Sequence, residues 1–307
     1  MNLKIEKDVP VKSLPIYTIP LAVLLAVETG EKILLSHFYQ LYFDMGKQEL
    51  HFDNPKVWLN NIDRKLFRHG SFRYDSKRLV NIDVGQIAIA AMKNGCHVYT
   101  FSESKIGTSS FWKLLYGYNE STKVFSVLHY DDQIGLQCFE IPFEDLNKQR
   151  NMFSVGMLKL HQNISIPDIT CAEIKNNLSE YINGESADGK AIGVSAVMVL
   201  DKMIDNAISG KSTIALFSFL TLWEHKGIIL HMLEFLLKEN EISPTMYDEY
   251  KSVCKSAEDI YALCKGYNQS LDNNLLIRVK AKLGEMIKKE KELLKEIVCD
   301  TCRGMSD

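Results

Sequence analysis

The sequence predicts an α+β protein: a first half with helices packed on a small antiparallel sheet, then an all-α helical half. Three observations point there. Between Cys96 and Pro142, short runs rich in β-branched and aromatic residues alternate with turn formers. Before Cys96 the apolar residues fall instead at helical spacing. After about residue 165 strand signals stop, and long helical patterns fill the rest of the chain. That change of pattern divides the chain into halves of 1–160 and 161–307.

Taken in order, residues 1–12 read as a strand or a loose arm. Leu14 to Val27 is apolar and predicts a short buried helix, with Thr18 as N-cap and Pro20 in the first turn. Glu31 to Tyr42 is a second apolar, aromatic segment. Residues 50–75 read as polar-aromatic and irregular, with a turn at Asn54-Pro55. Ser76 to Asn94 predicts an amphipathic helix on Leu79, Ile82, Ile87, Ile89 and Met92, closed by Asn94-Gly95. Strands are expected at Cys96–Phe101, Trp112–Tyr118, Lys123–Tyr130 and Gly135–Pro142. Turns at Asn119-Glu120-Ser121 and Asp131-Asp132-Gln133 make them an antiparallel meander. Pro142 ends the last strand, and Phe143 to Leu146 starts a helix. Further helices are predicted at 168–183, 191–208, 213–239, 243–265 and 273–298, punctuated by Gly184, Gly189, Gly210, Pro244 and Gly266. In the last, Leu276, Val279, Leu283, Met286, Leu293 and Ile297 form one apolar stripe, as in a bundle helix. Glu290 interrupts that seam, which argues against a dimerising coiled coil.

Composition narrows the function. A net charge of −3 over 307 residues, without a basic block, gives nucleic acid no general attraction. No apolar run approaches the roughly 18 residues that span a bilayer, and the N-terminus lacks a signal-peptide core. A cytoplasmic protein is expected, with its seven scattered cysteines reduced and mostly buried.

Four constellations could carry chemistry. Ser209-Gly210-Lys211-Ser212-Thr213 resembles the end of a phosphate-binding loop, but Asp205 stands where the first glycine is needed and a helix precedes it. An inter-helix turn is the better reading. Cys299 and Cys302 form a single C-x-x-C at a helix C-terminus, where the dipole opposes a thiolate and no second pair completes a zinc site. His225 and His231 lie six apart, about 120° out of register on a helix, so they make no metal face. His225 reads as a packed or hydrogen-bonded helix residue. His129, Asp131 and Asp132 sit at a strand end and its turn, where acid–base work and plain turn polarity are both open. No cofactor or metal is expected.

Three runs carry a family likeness: Leu114-Leu115-Tyr116-Gly117-Tyr118-Asn119, Lys123-Val124-Phe125-Ser126-Val127 and Phe139-Glu140-Ile141-Pro142-Phe143-Glu144-Asp145-Leu146. Together with Ala91 to Tyr99 before them, they resemble the butirosin biosynthesis protein H-like N-terminal family. Leu222-Trp223-Glu224-His225-Lys226 looks like the helical extension of such proteins, so the likeness spans about 90–240. The resemblance implies a papain-like fold, related to peptidase C39-like cysteine peptidases, in bacterial natural-product clusters beside nonribosomal peptide synthetases. It implies acyl or peptidyl transfer, with a Cys at the start of the N-terminal helix, a His base and an orienting Asp or Asn. This chain departs from it. The N-terminal helix carries Tyr17-Thr18-Ile19-Pro20 and no Cys. Ser110, Phe111, Trp112 and Lys113 stand where the His would fall, and only Asp131 or Asp132 matches the third position. The expectation is therefore a noncatalytic or vestigial member, a pseudoenzyme that binds a peptide, an acyl-carrier or peptide-carrier domain, or a synthetase. The alternatives are an acyltransferase or hydrolase with a non-Cys nucleophile, using Thr18, His129 and Asp131, or a helical scaffold that forms a homodimer.

Overall fold

A computed structural model describes residues 1–12, 15–27, 30–53, 64, 66–73, 83–103, 110–131, 135–147, 152–161, 168–184, 186–187 and 189–299. Along the chain run α1 (Pro15–Leu24), α2 (Gly30–His37), β1 (Leu41–Asp44), β2 (Glu49–Phe52), β3 (Phe67–Arg73), α3 (Val84–Lys93), β4 (His97–Glu103), β5 (Ser110–Asn119), β6 (Val124–Asp131) and β7 (Gly135–Pro142). Then come α4 (Phe143–Asn147), β8 (Met152–Leu160), α5 (Cys171–Ile182), β9 (Ser186–Ala187), β10 (Lys190–Ile192), α6 (Val194–Ile208), α7 (Leu216–Lys238), α8 (Pro244–Ser270) and α9 (Asn273–Cys299). The protein is α+β, with two antiparallel sheets and a C-terminal helical region. Among the described residues no helix is long and apolar enough to cross a membrane. Two compact units are present: Met1–Gly30 with Lys56–Ile166, and Glu31–Pro55 with Pro167–Asp307. Residues 31–55, which the sequence pattern assigns to the first half, thus pack with the second.

The first unit is built on a six-stranded sheet of order β3-β8-β4-β5-β6-β7. Strands β4 to β7 form the expected meander, with registers such as Leu115 opposite Val127 and Val127 opposite Phe139. Strands β3 and β8 complete the sheet and were not expected. β3 reads FRHGSFR, without apolar alternation, and β8 holds a central glycine. That glycine is required. A Cβ on Gly156 would lie 2.1 Å from Cζ of Tyr99, whose ring crosses the neighbouring strand at that point.

One face of this sheet is sealed by α3 and α4. Val84, Ala88, Ala91 and Met92 of α3 close on Val98, Leu115, Phe125, Val127, Ile141 and Val155, with Leu146 of α4. Burying such side chains contributes about 1.5–3 kcal/mol each for the larger ones. The helix begins at Val84 rather than Ser76, because Asp83 caps it by accepting from the Gln86 amide. Residues 76–82 lie outside the described residues. The Asn94-Gly95 stop is as expected, with Gly95 at φ +73°. Helix α1 starts at Pro15, so Thr18 stands inside it and is not its N-cap. The N-terminal arm pairs with β5 beyond the point where β4 begins: Leu3 N–H donates to the Tyr116 carbonyl, and Asn2 bridges Gly117.

The second unit joins a small sheet of order β2-β1-β10-β9 to helices α5 to α9. Strand signals therefore do not end at residue 165, but strands of two to four residues are too short to show a period. The five expected helices are all present, and α8 runs past Gly266 to Ser270. Thr170 and Glu173 form a capping box at the start of α5. Ser243 caps α8, with Pro244 in its first turn. The stripe of α9 is buried as predicted, and Glu290 is buried within it.

Candidate functional site

The sequence-derived residues are not gathered in one place. Thr18 is fully buried in α1, and its hydroxyl donates to the Val11 carbonyl at 2.9 Å. Helix α1 packs near β8, while His129 is on β6, with β4 and β5 between. At about 4.8 Å per strand that is roughly 14 Å across the sheet. Asp131 is the last residue of β6, opposite Gly135. Asp132 lies outside the described residues.

His129 does have polar company, on its own sheet. It stands opposite Lys113 of β5 and Gln137 of β7, and Lys113 stands opposite Thr100 of β4. Alternation places all four on the face that carries Leu115 and Val127, one step beyond the apolar core. Directly opposed residues bring their Cβ atoms to about 4.5–5.5 Å. The His129 ring meets Phe139 edge-on at 5.3 Å. Lys113 is buried, and burial pushes its ammonium pKa down. The Thr100 hydroxyl is buried without a hydrogen-bond partner among the described residues. This row can hold or move a proton, and a desolvated lysine can act as base or nucleophile. It contains no thiol. Cys138 on β7 alternates to the opposite face from Gln137 and Phe139.

Lys113 and Thr100 were missed as site residues. The available signal was a lysine at an inward position of a strand, two residues before Leu115. The resemblance had already pointed to Lys113 as standing near the family's His position. Only the strand register shows that it faces His129.

A second polar cluster lies inside the helical unit. Lys226 of α7 is wholly buried, and its ammonium donates to Tyr181 Oη at 2.6 Å and reaches Glu290 Oε2 at 2.9 Å. It also donates to His225 Nδ1 at 3.3 Å. Tyr250 donates to Glu290 Oε1 at 2.6 Å, and Tyr181 to Oε2 at 3.3 Å. His225 Nε2–H donates to the Tyr39 carbonyl at 2.7 Å, which fixes the tautomer and leaves Nδ1 as acceptor. Burial, helped by the adjacent Lys226 charge, holds His225 well below the usual imidazole range and so neutral. Burial also lowers the Lys226 ammonium, with Glu290 opposing the shift, and raises the Cys254 thiol to about 12. With its donors matched to acceptors and no exposure, this cluster is a polar core joining α5, α7, α8 and α9.

Other candidates fall away on geometry. His231 is half-exposed beside Glu234, apart from the His225 network. Gly210 takes φ +72° in the turn between α6 and α7. Of the described cysteines Cys264 is fully buried, Cys96, Cys171 and Cys254 are partly buried, and Cys138 and Cys299 are exposed, which corrects the expectation of mostly buried thiols. Cys302 lies outside the described residues. Among the described residues no group of three or more His, Cys, Asp or Glu is placed to hold a metal. No protein-family model matches the chain, and no curated protein matches it either.

Proposed function

We propose that the chain is a noncatalytic, papain-like binding protein, cytoplasmic, serving as an accessory component in bacterial natural-product assembly. Its partner would be a peptide, or an acyl- or peptide-carrier domain. The observation that supports a noncatalytic reading is the state of Thr18. The hydroxyl that would replace the family's cysteine is buried and bonded to the Val11 carbonyl, in a helix that packs near β8, whereas His129 stands three strands away on β6. A hydroxyl that donates its proton to a backbone carbonyl is tied up in that bond, which favours a structural role for Thr18 over a nucleophilic one.

A second reading, acyl transfer with a non-cysteine nucleophile, draws on the buried Lys113 opposite His129. One experiment separates the two. The protein is incubated with acyl-carrier thioesters and followed by intact-mass spectrometry. The binding reading expects complex formation with neither adduct nor turnover. Turnover lost in Lys113→Met or His129→Gln would establish the transferase instead.

A further inference from the structure

Strand β3 is one edge of the first unit's sheet, and its Arg68 lies directly opposite Lys159 of β8. Two like charges facing each other across adjacent strands destabilise a sheet unless something offsets them. Among the described residues neither meets a carboxylate. Arg68 forms no ion pair with a described residue, and Lys159 donates at 2.7 Å to the carbonyl of Asn94, the C-cap of α3. That bond anchors the ammonium and leaves it further N–H donors. Between them opens a cavity of about 240 Å³, lined by Arg68, Lys159, Leu160 and His161. His161 is oriented too: its Nε2–H donates to the Arg64 carbonyl at 3.2 Å. Among the described residues no acidic side chain lines the space.

We propose that this cavity is an anion site, taking the phosphate group of a small phosphorylated molecule. The guanidinium of Arg68 offers a planar fork of donors suited to two oxygens of a tetrahedral oxyanion. The Lys159 ammonium adds a point charge from the facing strand, so the pair matches a dianion better than a monoanionic carboxylate. The site lies outside the Thr100–Lys113–His129–Gln137 row, and it stands whether or not the binding reading above holds.

The test is calorimetric titration of the full chain with inorganic phosphate at low ionic strength, with acetate at equal ionic strength as the comparison. The expected result is saturable one-to-one phosphate binding, weaker or absent acetate binding, and a loss of about tenfold or more in phosphate affinity in Arg68→Gln. Arg68 is exposed, so this variant should keep the parent's circular dichroism and melting midpoint. Lys159→Gln should weaken phosphate similarly, even if the loss of its Asn94 contact lowers stability slightly. Absence of saturation, equal binding of acetate, or saturation unchanged in Arg68→Gln would overturn the proposal.

Discussion

Glu290 is tolerable in the buried stripe of α9 because Lys226, Tyr181 and Tyr250 satisfy it. Removing one member leaves the opposite charge buried and alone, so Lys226→Met should cost about 3–5 kcal/mol in urea denaturation. The double variant Lys226→Met with Glu290→Leu should recover most of that loss, since an apolar pair of similar volume can replace a buried ion pair. His225 gives the cluster a pH signature. Its folded pKa is depressed, so between that value and the unfolded one, near 6.5, the unfolded chain binds a proton that the folded chain does not. The stability it supports is therefore complete above about pH 6.5 and falls by about 1.4 kcal/mol per unit as pH drops below it. Denaturation midpoints across that range should show this slope, and His225→Gln should flatten it. The sequence exposed each residue alone: Glu290 as an interruption of a seam, His225 as a packed helix residue. Their meeting was not legible, because nothing in local spacing links α7 to α9.

Helices were the legible elements, since runs of twelve to twenty-seven residues carry several turns of period. The meander was legible through its turns, and with it the position of His129. Its neighbours Thr100 and Lys113 needed the strand register, which alternation along one strand does not supply. Short strands and glycine-bearing ones were hidden: β1, β2, β9 and β10 among the first, β3 and β8 among the second. Following β10, Gly193 sits at φ +63° and ψ −138°, and a Cβ there would lie 2.2 Å from the Tyr181 carbonyl oxygen. Gly193→Ala should destabilise by about 1–3 kcal/mol, seen as a lower denaturant midpoint with an unchanged slope. At the start of α5, Thr170→Ala removes the capping box and should cost about 1 kcal/mol, while Thr170→Ser should retain most of it.

At the scale of the molecule, the halves visible in the sequence are not the units that fold together. The second unit borrows residues 31–55, which supply β1 and β2, the Tyr39 carbonyl for His225 and the Leu50 amide that donates to Ser218 Oγ. A fragment of residues 161–307 should therefore melt lower than the same fragment with residues 31–55 joined to it through a flexible linker. Added as a separate peptide, residues 31–55 should restore part of the midpoint, read by circular dichroism. Tyr42 pairs with Ile192, 150 positions further on (192 − 42). On a ribosome adding about 5–20 residues per second, the β1–β2 hairpin emerges about 8–30 s before its partner strand exists. Throughout that interval the hairpin's Leu41, Phe43, Leu50 and Phe52, all buried in the finished fold, lack β10 and α7 to cover them. A nascent chain halted before residue 190 should therefore bind a holding chaperone more strongly than one halted after α7 is complete, read by co-purification with the stalled ribosome.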